Sequence, residues 1–320
     1  MADLNKFNYN VNAIRDEFRK HGVFYTPPGL AEYFREFLPD TVSEVYDPTC
    51  GNGGLLAIFP DSVKKYGQEL DPNQMEVARQ RLTNFEGVAG DTLAAPAFMD
   101  HKFEAIVANY PFSVPWTPPD KKEDDPRFAD APALAPKSRA DYAFILHCLY
   151  VLKNDGVAVV MGFPGILYRG NAELRIRRWL VEQNYIDTVV HIPGKKFADT
   201  AIPTCLLVLR KNKTTTDVRM IDTERELEKT VTLEEIEAMG FNLSVSQYIT
   251  PPDTREPVDI DALNAEIDGV IVHNLEAAVN LQAFAYLFFE NDRRKLEALF
   301  DACASKLEEL RERYKDGVTL

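Results

Sequence analysis

The feature that most limits what this chain can fold into is a series of short β-type runs, most of them ending on an acid or an amide. "SEVYDPTCGNGG" (43–54) is a strand entering a glycine-rich turn, and "KKYGQELDP" (64–72) is a second strand leading to a helix over 73–84. "GVAGDTL" (87–93) reads as a third strand and "FEAIVANYP" (103–111) as a fourth. Later, "GVAVVMGF" (156–163) has the unbroken apolarity of a fully buried strand, "NAELRIRRWLVEQ" (171–183) is helical, and "IDTVVHIP" and "TCLLVLRK" are two more strands. This alternation predicts an α/β fold with a mostly parallel sheet and helices on both faces. Such sheets bind ligands beyond the carboxyl ends of their strands. Asp47, Glu69, Asp91 and Asn109 all fall there.

Around this core the chain divides into three regions. Residues 1–22 form a short N-terminal arm with an amphipathic helix over 11–21, residues 23–225 the catalytic-type α/β domain, and residues 226–320 an acidic, mainly helical extension. After Pro27 and Pro28 a second helix begins near Leu30. The proline-rich connection 113–137 is far longer than usual loops, which makes it either functional or disordered. In "SRADYAFILHCLYVL" (138–152), Ser138 and Asp141 stand at capping-box spacing, with Tyr142, Ile145, Leu146, Leu149 and Leu152 on one face. In the tail, Leu296, Phe300, Cys303, Leu307, Leu310 and Tyr314 form a heptad-like stripe. That stripe suits packing on its own domain or contact with a partner, including a second copy of the chain.

Charge and cysteine usage exclude several classes. The extension from Glu226 carries nine Lys/Arg against twenty Asp/Glu, so −11 of the net −14 resides there. An acidic surface is ill suited to a phosphate backbone, whose binding relies on Lys and Arg displacing counterions. Cys50, Cys148, Cys205 and Cys303 are scattered, which argues against a disulfide framework or a zinc site and fits a reducing cytoplasm. No run is apolar for long enough to span a bilayer, and the start lacks a leader's hydrophobic run.

The turn Asp47-Pro48-Thr49-Cys50-Gly51-Asn52-Gly53-Gly54 is what a nucleotide-like cofactor needs, since its glycines let backbone approach the ligand. It is not GxGxxG, and no GK[ST] follows, so a phosphate cradle of the Walker type is unsupported. Asp47 suits a cationic ligand group, Glu69 stands where a carboxylate accepts from ribose hydroxyls, and Asp91 can accept from an adenine amino group. Taken singly, each is also compatible with an ordinary cap or turn role. "VANYPFS" (107–113) adds an amide, a stiffened turn and an aromatic ring.

Together and in this order, "YTPPGL", "DPTCGNGGLL" and "NYPF" resemble the S-adenosylmethionine-dependent adenine-N6 DNA methyltransferases. The likeness is specifically to the modification subunit of type I restriction-modification systems. It runs from about Val23 to Glu224 and includes "DPRF", "KSRADYAFILH", "YRGNAELRIRRWLVEQNYIDTVVHIPGKKF" and "AIPTCLLVLRK". The resemblance implies a Rossmann-like methyltransferase sheet with S-adenosyl-L-methionine as cofactor. It places Phe24, Tyr25, Thr26, Pro27 and Pro28 against the cofactor's methionine part and Asp47 to Gly54 beneath it. Glu69 would hold the ribose, Asp91 with Thr92 the adenine, and Phe197 would be a second aromatic at the target pocket. Asn109, Tyr110, Pro111 and Phe112 would form the catalytic turn, and no metal is implied.

The chemistry of that turn follows from the target. An adenine inside a duplex is out of reach until it is flipped into a pocket, where stacking on Phe112 would be worth about 1–3 kcal/mol. If the Asn109 side-chain oxygen and the Tyr110 carbonyl accept the two amine N–H bonds, the lone pair leaves ring conjugation and points at the methyl donor. Tyr110 departs from the usual Asn-Pro-Pro-Phe. Losing a proline loosens the turn, and a ring aimed at the target would crowd it and impair activity.

The implied partners are DNA, a specificity subunit and a restriction subunit. Modification subunits of this kind carry a large helical domain ahead of the cofactor motif. Here about two dozen residues precede Tyr25, and the tail shows no target-recognition domain. DNA reading is therefore expected from another polypeptide. Arg169, Arg175, Arg177, Arg178, Lys195 and Lys196 are candidates for phosphate contact or for a solvated face. Cytosine N4 and a protein glutamine amide offer the same planar NH2, and a noncatalytic decoy that keeps the cofactor fold is the rival from another class.

Overall fold

The computed structural model describes residues 28–194, 202–250 and 259–313. Helix α1 (Pro28–Arg35) opens on a proline, whose missing N–H costs nothing in a first turn. Strands β1 (Glu44–Asp47), β2 (Lys64–Glu69), β3 (Phe85–Ala89) and β4 (Phe103–Ala108) follow. Helix α2 (Pro72–Arg81) is started by its local sequence. The Asp71 carboxylate accepts from the Asn73 N–H at 2.8 Å, and Pro72 supplies a ready-made helical φ. Helix α3 (Asp141–Val151), strand β5 (Leu152–Gly162), helix α4 (Asn171–Glu182) and strands β6 (Ile186–Ile192) and β7 (Thr204–Arg210) continue the pattern.

Two strands absent from the sequence reading complete the sheet, β8 (Val218–Asp222) and β9 (Leu227–Val231), before helix α5 (Leu233–Ala238). Among the described residues the sheet has nine strands in the order β3-β2-β1-β4-β5-β7-β6-β8-β9. Strands β1 to β5 pair in parallel, and so do β6 and β8. β7 runs antiparallel between β5 and β6, and β9 pairs antiparallel with β8. The chain leaves β1 for β2 on one side and later returns to lay β4 on the other. The crevice between β1 and β4 is therefore the place where such a sheet receives a ligand.

Several local expectations change. The third strand ends at Ala89, so Asp91 lies in the following loop. No capping box forms at α3: Ala140 precedes the helix, and Asp141, its first residue, accepts from the Ser113 N–H at 3.1 Å. Residues 141–149 of that helix are all buried, so it has no polar face. The 113–137 connection is packed, with Arg127, Phe128, Ala131, Ala133 and Ala135 buried and the Trp116 indole donating to the Pro136 carbonyl. The helix expected over 11–21 lies outside the described residues.

The sheet also passes the boundary suggested at 225/226. β9 and α5 lie beyond it, and the first compact unit runs to Pro251. The second unit begins at Pro252 and contains α6 (Ile260–Phe284), a π-helical stretch (Ala285–Glu290) and α7 (Arg293–Arg313). Neither α6 nor α7 has a buried residue. Of the heptad-like stripe, Phe300 and Leu307 are exposed and Leu296, Cys303 and Leu310 half-buried, while Tyr314 is outside the described residues. Among the described residues, no helix is long and apolar enough to cross a membrane.

Candidate active site

The strand-end groups assemble along one edge of the sheet. Asp47 closes β1 opposite Gly67 of β2, Glu69 closes β2 opposite Ala89 of β3, and Asn109 directly follows β4, which pairs with β1 through Tyr46 and Ile106. The Glu69 carboxylate accepts from the Gly51 N–H at 2.8 Å and from the Asp71 N–H at 2.9 Å, which ties β2 to the glycine turn. The Asp91 carboxylate accepts from the Leu93 and Ala94 N–H groups at 2.8 and 3.2 Å, so it orders its own loop. The Thr92 hydroxyl reaches across to donate to the Pro48 carbonyl. Pro48 and Cys50 are buried within the turn, and the Cys50 N–H donates to the Gln68 carbonyl of β2.

The turn itself needs its glycines. Gly51 takes φ +52° with nothing within 4 Å of a would-be Cβ, and Gly53 takes φ +80°, where a Cβ would sit 2.6 Å from Leu82. The first leaves open space above the backbone, and the second admits close packing below it. Asn52 is buried, and its amide nitrogen finds no partner among the described residues. Asp47 is 2 % exposed, and burial pushes its carboxyl up to about 8, with the nearby Glu69 charge adding to the shift. A buried carboxyl of this kind, beside an unpartnered amide and a bare stretch of backbone, fits a ligand that brings a positive charge and polar edges.

The catalytic-type turn has a clear division of labour. The Tyr110 ring is fully buried, stacked on Phe144 of α3 at 5.1 Å and 11°, so it belongs to the core. The expectation that this ring would crowd the target does not hold in this conformation. Phe112 is 8 % exposed, edge-on to Tyr110 and 4.5 Å from the Phe163 ring at 47°. The Phe163 ring thus lies tilted against it. Pro111 is exposed and Asn109 half-buried. Ser113, in the left-handed region at φ +53°, ends the turn. Burial pushes the Asp141 carboxyl that receives its N–H up to about 6, against the pull of the nearby Arg169.

Other candidates fare differently. Pro28 opens α1, whereas Phe24, Tyr25, Thr26, Pro27, Lys195, Lys196 and Phe197 lie outside the described residues. Arg177 is fully buried, donating to the carbonyls of Phe241, Ile166 and Arg169, so it holds the fold together and is no phosphate ligand. Arg169 pairs with Glu173 and Arg178 with Glu182. His191, Asp222 and Glu224 bring metal-type ligand atoms within 4.8 Å of one another, but the Asp222 carboxylate is engaged by Arg225 at 2.7 Å. Sequence reasoning missed Phe163, Asp141 and Arg127. The segments "DPRF" and "KSRADYAFILH" carried two of them without showing what they touch.

The sheet order and the groups along its carboxyl edge define a Rossmann-like methyltransferase fold of the S-adenosylmethionine-dependent kind. Residues 7–230 match the N-6 DNA Methylase family, and the chain belongs to it. It is 33% identical over 310 aligned residues to the type I restriction enzyme MpnII methylase subunit of Mycoplasma pneumoniae, covering 78% of this chain and 57% of that protein. The type I restriction enzyme MjaIX methylase subunit of Methanocaldococcus jannaschii is 30% identical, with 60% and 38% covered. The crystal structure of the type I restriction-modification system methyltransferase subunit from Streptococcus thermophilus superposes with a TM-score of 0.66 at 32% identity, covering 71% of this chain and 59% of that one. The chain spans about half the length of the curated relatives it matches.

Proposed function

We propose that the protein transfers a methyl group from S-adenosylmethionine to the N6 amine of an adenine flipped out of DNA, as a type I modification subunit. A partner specificity subunit reads the sequence and a restriction subunit completes the system, in the cytoplasm. One observation carries the reading: in a chain of this family, Asp47 and Glu69 close β1 and β2, Asn109 directly follows β4, and Asp91 lies in the loop after β3, all at the carboxyl ends of four adjacent parallel strands. The cofactor supplies an electrophilic methyl on a sulfonium. Asp47 balances the positive charge of its methionine part, Glu69 receives the ribose hydroxyls and Asp91 the adenine. Pro48, Thr49, Cys50, Gly51, Asn52, Gly53 and Gly54 form the floor.

In this reading the Asn109 side-chain oxygen and the Tyr110 carbonyl accept the amine's two N–H bonds and aim its lone pair. Phe112 stacks on the base, and seating the base requires Phe112 and Phe163 to part. Phe24 to Pro28 close over the methionine part and Phe197 flanks the target. The exposed apolar residues of α6 and α7 meet the partner subunit or a second copy of the chain.

The test is transfer of labelled methyl to DNA in the presence of candidate specificity subunits, with the product identified by mass spectrometry. Asn109→Ala is expected to lower kcat at least a hundredfold, since positioning and charge stabilisation are the whole of the catalysis here. Full transfer by that variant overturns the role of Asn109. A labelled cytosine or glutamine moves the substrate assignment, and cofactor binding without turnover on any DNA favours the decoy reading.

A further inference from the structure

The long 113–137 connection has a use that its composition does not reveal. From it Arg127 reaches into the core with a side chain only 3 % exposed. Its guanidinium donates to the Thr92 carbonyl at 2.8 Å and to the Leu93 carbonyl at 2.6 Å. The Asp125 carboxylate accepts from two further N–H groups of the same side chain, the Nε–H shared between its two oxygens at 3.0 and 3.1 Å and an Nη2–H at 2.6 Å, and so fixes the plane of the fork. Behind it lies His147 of α3, 3.4 Å from an Arg127 nitrogen through Nδ1 and 3.2 Å from the Tyr46 hydroxyl through Nε2. Burial and the Arg127 charge hold that imidazole neutral, its proton release lowered to about 3. Arginine has no acceptor, so Nδ1 is the acceptor and Nε2 carries the hydrogen.

We propose that Arg127 is a positioning residue for the cofactor: it fixes the loop 91–95 that forms the adenine wall of the site, from the carbonyl side. This rests on the cofactor reading above. The two carbonyls that it holds belong to the residues directly after Asp91, whose own carboxylate binds the N–H groups of the same loop. The loop is thus held from both of its hydrogen-bonding faces, and Thr92 ties it to the glycine turn. Without the guanidinium, two largely buried carbonyls lose charged donors, and the loop regains freedom that ligand binding must then remove. The loss falls on the adenosine half of the ligand.

The experiment is calorimetry on the full chain with two probes, S-adenosylmethionine and 5′-deoxy-5′-methylthioadenosine, which keeps the adenosine half and lacks the amino-acid half. Arg127→Gln is expected to weaken both by the same factor, about tenfold or more, with Arg127→Lys in between because it keeps the charge but presents its donors from a single nitrogen in place of the planar fork. Asp47→Asn should weaken S-adenosylmethionine much more than the methylthioadenosine. Hydrogen exchange over 91–95 should quicken in the Arg127 variants. If Arg127→Gln does not fold, Arg127→Lys and Asp125→Asn carry the comparison. Wild-type affinity for both probes in a folded Arg127 variant, or a loss confined to S-adenosylmethionine, overturns the inference. A wild-type chain that binds neither probe overturns the cofactor reading instead.

Discussion

Asp47 shows how a buried carboxyl at the proposed cofactor site costs stability. Its carboxyl is buried at the end of β1 and pushed up to about 8, whereas an unfolded chain titrates it near 3.9. The folded state binds the proton more tightly than the unfolded one, so its contribution to stability is complete below about pH 4 and is lost as pH rises toward 8. At about 1.4 kcal/mol per pKa unit, even half of that shift is a few kcal/mol. Asp47→Asn is therefore expected to melt higher than wild type at pH 8 without ligand, the gap closing toward pH 4. A cationic ligand reverses the balance by drawing the carboxyl into its charged form and releasing a proton. Affinity for S-adenosylmethionine should rise between pH 6 and 7.5 in the wild type and stay level in Asp47→Asn. Calorimetry in buffers of different ionisation enthalpy reads the proton directly. Tyr110 gives the complementary case. Its hydroxyl is buried and has no hydrogen-bond partner among the described residues, while its ring is spent on Phe144. Tyr110→Phe should raise stability by about 1 kcal/mol in denaturant titration and leave methyl transfer unchanged, because the backbone carbonyl to which the proposed function gives a role remains.

Strands and helices differed in how plainly the sequence announced them. β4, β5, β6 and β7 carry apolar runs bounded by turn residues, β1 and β2 are marked instead by the acid and turn that close them, and α2 announces itself through the Asp-Pro pair that caps it. The acids and the amide of the site were legible for the same reason, since a parallel sheet puts its strand ends together. β8 and β9 escaped because "VRMID" and "LEKTV" are short and mix charge with apolar residues, as strands toward a sheet edge do. The start of α3 was misread because Ser138 and Asp141 have the spacing of a cap, while Asp141 is claimed by Ser113 from a segment 28 residues away. No local pattern reveals a long-range acceptor. Arg127 was hidden likewise: a charged residue in a proline-rich, charged connection reads as solvated until Thr92, Leu93 and His147 are seen around it.

The division of the chain as a whole follows packing and not charge. The acidic bias begins near residue 226, yet Ile236, Leu243, Val245, Tyr248 and Ile249 are buried in the same core as the sheet, and the Phe241 carbonyl accepts from buried Arg177 at 2.6 Å. Each such side chain contributes about 1.5–3 kcal/mol by its burial, so together they rival the 5–15 kcal/mol that holds a typical domain. A chain cut after residue 225 should therefore fail to fold cooperatively, since it also leaves β8 as a bare edge and Arg177 short of a partner. A chain cut after residue 251 keeps all of these and should melt in one transition near the full-length midpoint. In α6 and α7, by contrast, no side chain is buried, and Ile267, Val270, Leu275 and Leu281 lie exposed. Helices with that surface draw their stability from what they pack against. The far-UV signal lost on removing residues 252–320 should then be the part that melts without affecting the sheet. A 1–225 chain as stable as the 1–251 chain would show that the segment from β9 to Ile249 lies on the core without supporting it.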